Sequence, residues 1–182
     1  REVIELPLDD VLDINGWDLQ KTLRLFRKSN PTLFEWFSSP IVYMETPFAE
    51  TFRAMMGNYF STKRSLYHYI HMAEKNKREY LEGDLVKVKK YFYVLRPVLA
   101  CRWILEKKTP PPMLFSELME AELLDLKQNS PEVKMTAKVD TINTYLEDSI
   151  ADIQNILKSL EETNPADWQE LDDLFLQQLQ TM

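Results

Sequence analysis

The stretch from Asp84 to Glu106, DLVKVKKYFYVLRPVLACRWILE, constrains the fold more than any other, because read as a helix it has almost no polar face. At about 100° per residue, Val88, Tyr91, Phe92, Tyr93, Val94, Leu95, Val98, Leu99, Ala100, Trp103 and Ile104 point nearly all round the axis. Such a helix has to be wrapped by others. Lys87, Lys89, Lys90 and Arg96 are set into it, and Arg96 has apolar neighbours on both sides for several turns. A guanidinium buried there needs an anion. That anion is either a carboxylate of the protein itself or a carboxylate or phosphate of a bound ligand.

A chain of 182 residues, 45% of them hydrophobic, is enough for one domain or two small ones around a sizeable core. Its three glycines argue against an all-β architecture with many tight turns. No apolar run approaches the roughly 20 residues that span a bilayer, and no N-terminal signal pattern is present, so a soluble, cytoplasmic protein with no membrane partner is expected. The single cysteine, Cys101, lies in the apolar stretch and reads as an inert buried thiol.

The net charge of -7 is unevenly spread. Residues 1–60 carry 6 Lys and Arg against 9 Asp and Glu, residues 61–110 carry 12 against 5, and residues 111–182 carry 4 against 15. A basic middle between acidic flanks points to an anionic partner such as a nucleotide or RNA. Mutual neutralisation of middle and tail accounts for the same counts.

Near the start, Val3 to Leu6 and Val11 to Ile14 are short β-prone runs separated by Pro7 and the aspartates Asp9 and Asp10. Asp13 stands between Leu12 and Ile14. On a strand both neighbours can face a core while the carboxylate faces the other way, placed to hold a hard cation such as magnesium. A strand-end or helix-capping Asp gives the same triplet.

Asn15-Gly16 is expected to turn the chain, followed by helices over 17–27, from Asn30-Pro31 to Phe37, over 48–59 and over 61–81, with Ile41 to Tyr43 extended. In the last of these, Leu66, Tyr69, Ile70, Ala73 and Tyr80 fall on one side. Arg64, His68, His71, Lys75 and Arg78 fall on the other, within about 80° of arc. This basic stripe reads as a solvated face or as an anion contact. With no third ligand, His68 and His71 do not make a metal site. Lys77 lies on the apolar side, where its stem can follow the core with the ammonium outside. Gly83 is a stop and Asp84 the next cap. Beyond the central helix, Thr109-Pro110-Pro111-Pro112 is a stiff connector, and helices are expected over 115–126, over 133–162 and from Asn164-Pro165 onward.

Four stretches, VIELPLDDVLDINGWDLQKTL, RKSNPTLFEWFSSPIVY, YHYIHMAEKNKREYL and VKVKKYFYVLRPVLACRWILEKKTPPP, together resemble a family of predicted nucleotidyltransferases of the DNA polymerase β superfamily, described as RNA-repair-pathway nucleotidyltransferases. The resemblance covers about residues 1–125. It implies a mainly α chain, in which residues 1–45 are a short β remnant of an α+β nucleotidyltransferase palm and residues 46–182 a helical domain. Nucleotidyltransferases of this fold place a Gly-Ser helix start and an Asp-x-Asp pair upstream of a third acidic strand. No Gly-Ser pair occurs here, so the chain looks like the C-terminal part of a longer protein, inactive by itself. By the resemblance Asp13 is the third carboxylate of the catalytic metal site, holding Mg2+ or Mn2+ only with the upstream carboxylates. Such enzymes use two divalent cations held by three carboxylates.

The basic middle then supplies the grip on an NTP, with Lys87, Lys90 and Arg96 as the leading residues and His68 and Lys75 on the neighbouring helix. The expected function is metal-dependent transfer of a nucleoside monophosphate from NTP to a hydroxyl acceptor, RNA among the candidates. The competing expectation is a non-catalytic helical module that binds nucleic acid or protein. Acceptor, base preference and oligomeric state are not encoded in any motif.

Overall fold

Four helix starts follow directly from short polar residues that accept a hydrogen bond from the first turn. Asp18 accepts from Lys21 N at 2.8 Å and opens α1 (Leu19–Arg27). Asn30 accepts from Leu33 N at 3.3 Å, with Pro31 in the first position of α2 (Pro31–Phe37). Thr46 and Pro47 repeat that arrangement for α3 (Pro47–Tyr59), and Ser61 caps α4 (Thr62–Tyr80). The computed structural model describes residues 3–7, 12–122, 135–137, 139–162 and 167–181, and these form a mainly α structure. The remaining helices are α5 (Val88–Lys107), α6 (Phe115–Glu122), α7 (Asp140–Ser159) and α8 (Gln169–Thr181). Four short strands complete the described elements. β1 (Ile4–Pro7) pairs antiparallel with β2 (Asp13–Gly16), and β3 (Leu85–Lys87) pairs antiparallel with β4 (Met135–Ala137).

Two hydrophobic cores form. The first gathers Leu23, Phe26, Leu33, Phe34, Phe52, Met56 and Tyr59 from α1, α2 and α3, and α8 closes it with Leu171 and Leu174. It is strongly aromatic: Phe26 lies 5.4 Å from Phe34, 4.0 Å from Phe52 and 4.7 Å from Tyr59 between ring centroids. The second core is mainly aliphatic and joins α4, α5, α7 and β3 through Leu66, Ile70, Val86, Val98, Ile104, Leu146, Ile153 and others. Phe60 packs against both cores. A buried Ser29 also joins them, its hydroxyl accepting from Ser61 N at 2.7 Å.

Several expected boundaries need correction. Residues 84–106 are not one helix: Leu85–Lys87 is a strand, and α5 begins at Val88 with no side-chain cap from Lys87. The alternation of Val86, Lys87 and Val88 suits a strand, and Val86 is buried while its neighbours Leu85 and Lys87 are exposed. Nor is α5 wrapped all round, since Phe92 and Tyr93 are exposed on its outer side. The expected 133–162 helix likewise splits into β4 and α7, with 133–134 outside the described residues. Asn15 and Gly16 belong to the end of β2 and do not form a turn, and 41–43 form no strand. The last helix is described over Gln169–Thr181, and its expected start at Asn164-Pro165 lies outside the described residues, as do 123–126.

Candidate functional site

α4 and α5 run antiparallel. Cys101 Sγ meets Leu66 O at 3.9 Å, Asn76 Nδ2 donates to Tyr93 O at 2.8 Å, and the Lys90 ammonium lies 3.4 Å from the centre of the Tyr80 ring and 4.6 Å from that of Tyr93. Of the side chains expected to bind anions, Lys90 lies on this seam between the two helices, and Arg96 lies on it through Glu35, which also bonds Tyr69 of α4.

At the end of the seam nearest α2 stands a polar cluster. Glu35 Oε1 accepts from the Tyr69 hydroxyl at 2.7 Å and lies 3.7 Å from Arg96 Nη2. Arg96 is fixed more firmly by backbone: its Nη1 donates to Met113 O at 2.9 Å and its Nη2 to Pro112 O at 3.4 Å. The Pro-rich connector thus supplies carbonyls that hold the guanidinium in place. Arg96 is 30% exposed, so it is half-buried at the surface arc of α5. The expectation of a guanidinium enclosed by apolar helices is corrected accordingly, and the protein supplies its nearest carboxylate. A 3.7 Å ion pair is longer than a charge-assisted hydrogen bond, which leaves Arg96 only partly neutralised.

His68 adjoins the same carboxylate. Burial lowers its pKa below the ordinary histidine value, and the negative charge of Glu35 works in the opposite direction. Burial and then Glu35 push the Tyr69 phenol well above its usual range, so it remains a hydrogen-bond donor. Arg96 and Tyr69 are therefore brought together around Glu35, whose charge also acts on His68. Lys90 is farther along the seam under Tyr80 and Tyr93, Lys75 is exposed on α4, and Lys87 is exposed on β3. Sequence reasoning missed Glu35 and treated Tyr69 as core. The available signal was a lone carboxylate in the otherwise apolar Leu33-Phe34-Glu35-Trp36-Phe37 run of α2.

Asp13 lies in β2 opposite Pro7 of β1. Its strand neighbours Leu12, Ile14 and Asn15 wall a cleft of about 890 Å³ together with Trp36, Phe37, Arg53 and the 41–45 segment. α2 therefore faces this cleft with Trp36 and Phe37 and the cationic seam with Glu35.

Several cations of α4 are engaged by α7 and the residues that follow it. Toward the acidic tail, Arg64 pairs with Glu162 at 2.9 Å, Lys77 with Glu147 at 2.8 Å, and Lys63 donates to Leu160 O at 2.5 Å. Middle and tail therefore neutralise each other in part. Lys77 is partly exposed with its ammonium on a surface carboxylate, in keeping with a stem laid along the core. Cys101 is fully buried, and burial raises its thiol pKa well above the ordinary value, which makes it unreactive.

Residues 1–177 match the model of RlaP, the RNA repair pathway DNA polymerase beta family. The chain belongs to the RlaP family. A Bacillus subtilis (strain 168) protein named "Uncharacterized protein YcgL" is 46% identical over 189 residues, an alignment covering 97% of this chain and 73% of that protein. No solved structure matches. By family the chain is thus DNA polymerase β-like. Among the described residues no group of three or more His, Cys, Asp or Glu could hold a metal ion, so these residues do not by themselves fit a catalytic metal centre. No helix among them is long and apolar enough to cross a membrane.

Proposed function

We propose that the protein transfers a nucleoside monophosphate from an NTP to a hydroxyl acceptor, RNA among the candidate acceptors. In this reading Asp13 is one carboxylate of a Mg2+ or Mn2+ site that requires further carboxylates, and the α4–α5 seam receives the triphosphate. Asp13 would help hold such cations, whose chemistry there would be to activate the attacking hydroxyl and to offset charge on the phosphorus. The role of the seam is to bind and orient. Arg96, preset by two carbonyls, offers a fork to phosphate oxygens, and Lys75, Lys87 and Lys90 add point charges. His68 beside Glu35 is a donor whose charge depends on that carboxylate.

The observation that carries this reading is the placement of α2. One helix lines the cleft beside the strand of Asp13 and also touches Arg96, so a nucleotide on the seam can extend toward the carboxylate strand. The test is transfer of label from α-phosphate-labelled NTPs to an RNA bearing a free 3′-hydroxyl, using the full-length gene product with magnesium or manganese. The expected result is incorporation that Asp13→Asn abolishes. Equal incorporation by the folded Asp13→Asn protein would remove Asp13 from the reaction.

A non-catalytic binding module is the second reading, favoured by the exposed Lys75 and Lys87, which need only bind an anion. It predicts ligand binding by the same seam without any transfer.

A further inference from the structure

Intramolecular pairing takes up Arg64 with Glu162 and Lys77 with Glu147. It does not extend to every cation of α4. On the outer arc, His71, Lys75 and Arg78 are exposed, and none of them has an ion-pair partner among the described residues. Glu79, at the edge of that arc, is engaged with the Tyr80 hydroxyl. Arg78 also borders the groove between α4 and α7, where Glu74, Glu82 and Glu147 keep its surroundings partly acidic.

Aromatic surface accompanies this charge. Tyr67 is 42% exposed, and its ring lies 5.9 Å from that of His71. A solvated helix face needs cations only. An exposed ring interleaved with them offers a stacking platform, and every nucleobase has a π-face to place on it. From Tyr67 to Arg78 the helix advances about 16 Å, enough for a few nucleotides to track along it.

We propose that the outer arc of α4, formed by Tyr67, His71, Lys75 and Arg78, binds single-stranded nucleic acid. Its role as the acceptor strand rests on the nucleotidyltransferase reading above, whereas strand binding rests on the charge and exposure of the arc. The cations contact phosphates and Tyr67 stacks on a base, so binding is tolerant of sequence and weakened by salt. Single strands are preferred to duplex, because stacking on Tyr67 requires an unpaired base.

The experiment is fluorescence anisotropy of the full-length protein with a labelled 12-nucleotide RNA of mixed sequence, the same strand as DNA, and the RNA duplex, each at 50 and 200 mM salt. NTP binding is measured in parallel. The parent is expected to bind both single strands more tightly than duplex. His71→Glu/Arg78→Glu should weaken strand binding about tenfold or more, and Tyr67→Ala should weaken it about fivefold or more by loss of stacking. Lys75 is left in place because it is also a candidate NTP contact. Circular dichroism establishes that the variants are folded, and NTP binding equal to the parent's shows that the seam is untouched.

Equal strand affinity in parent and both folded variants would overturn the proposal, as would the absence of salt-dependent binding by the parent. If the double-charge variant fails to fold, Tyr67→Ala decides alone by the same criterion. Strand binding sensitive to these substitutions in a protein that binds no NTP would uphold the surface and contradict the nucleotidyltransferase reading.

Discussion

The two cores solve different problems. The α1–α2–α3–α8 core is built from stacked Phe rings, is drawn from both ends of the chain, and its polar bond between Tyr59 and Glu170 lies at the edge. The α4–α5–α7 core is aliphatic and carries most of the cations on its perimeter, some paired with the acidic tail and others facing outward. An aromatic core buries large areas and leaves little freedom at its surface; an aliphatic one lined with long basic side chains leaves charge available for binding. Glu35 belongs to a helix of the first core and makes its contacts with Tyr69 and Arg96 of the second. The cationic seam is thus held in register by the neighbouring core.

Removing the central ring of the aromatic core should have the largest effect. Phe26→Ala is expected to cost about 3–5 kcal/mol, because Phe26 is fully buried among three rings. Urea denaturation measures the loss, and hydrogen exchange shows where it falls. Protection should drop first in α1, α2, α3 and α8; an equal drop in α5 and α7 would show that the two cores melt as one.

Glu35→Ala cuts the polar link between the regions and should cost about 1–3 kcal/mol by leaving the Tyr69 hydroxyl without its acceptor. The same change should lower the His68 pKa further, since the carboxylate is what holds it up against burial. Proton NMR of the imidazole reads that shift. An unchanged His68 titration would show that the two side chains do not interact.

High pH should weaken both regions in sequence. In the aromatic core, burial and then Glu170 push Tyr59 up to about 12 from an ordinary phenol value of 10.0. The folded protein therefore holds a proton that the unfolded chain releases first. Stability from this group is complete below the unfolded value and falls as pH rises from there toward about 12. Tyr69 and Cys101, also raised by burial, add to the loss in the other core. Chemical denaturation between pH 8 and 11 should show a decline beginning near the ordinary thiol and phenol values. A flat profile would mean that these groups titrate alike in both states.

The smallest effect belongs to the paired side of α4. Arg64→Ala removes an exposed ion pair with Glu162 and should change stability by less than about 1 kcal/mol. A larger loss in a thermal melt would make the acidic tail a structural partner of α4 and not merely a neutralising one.

How much of this was legible in the sequence depends on the range of each interaction. Asn30-Pro31 and Ser61 mark helix starts through contacts three residues away, and both were readable. The β3–β4 pair is not local: Val86 meets Thr136 across 50 residues, and the alternation of a three-residue strand is too short to stand out from the helix pattern beside it. The oddness of Arg96 was visible, but its partners were not. Glu35 sits in an apolar helix far back in the chain, and the carbonyls of Pro112 and Met113 have no side-chain signature.

The most direct test of the cationic seam is calorimetric titration of the full-length protein with each of the four NTPs in magnesium, repeated with Arg96→Gln. Measurable binding by the parent and a loss of about tenfold or more in the folded variant, equivalent to about 1.4 kcal/mol, is the predicted result. Identical dissociation constants in two folded proteins, or no binding by the parent, would contradict it.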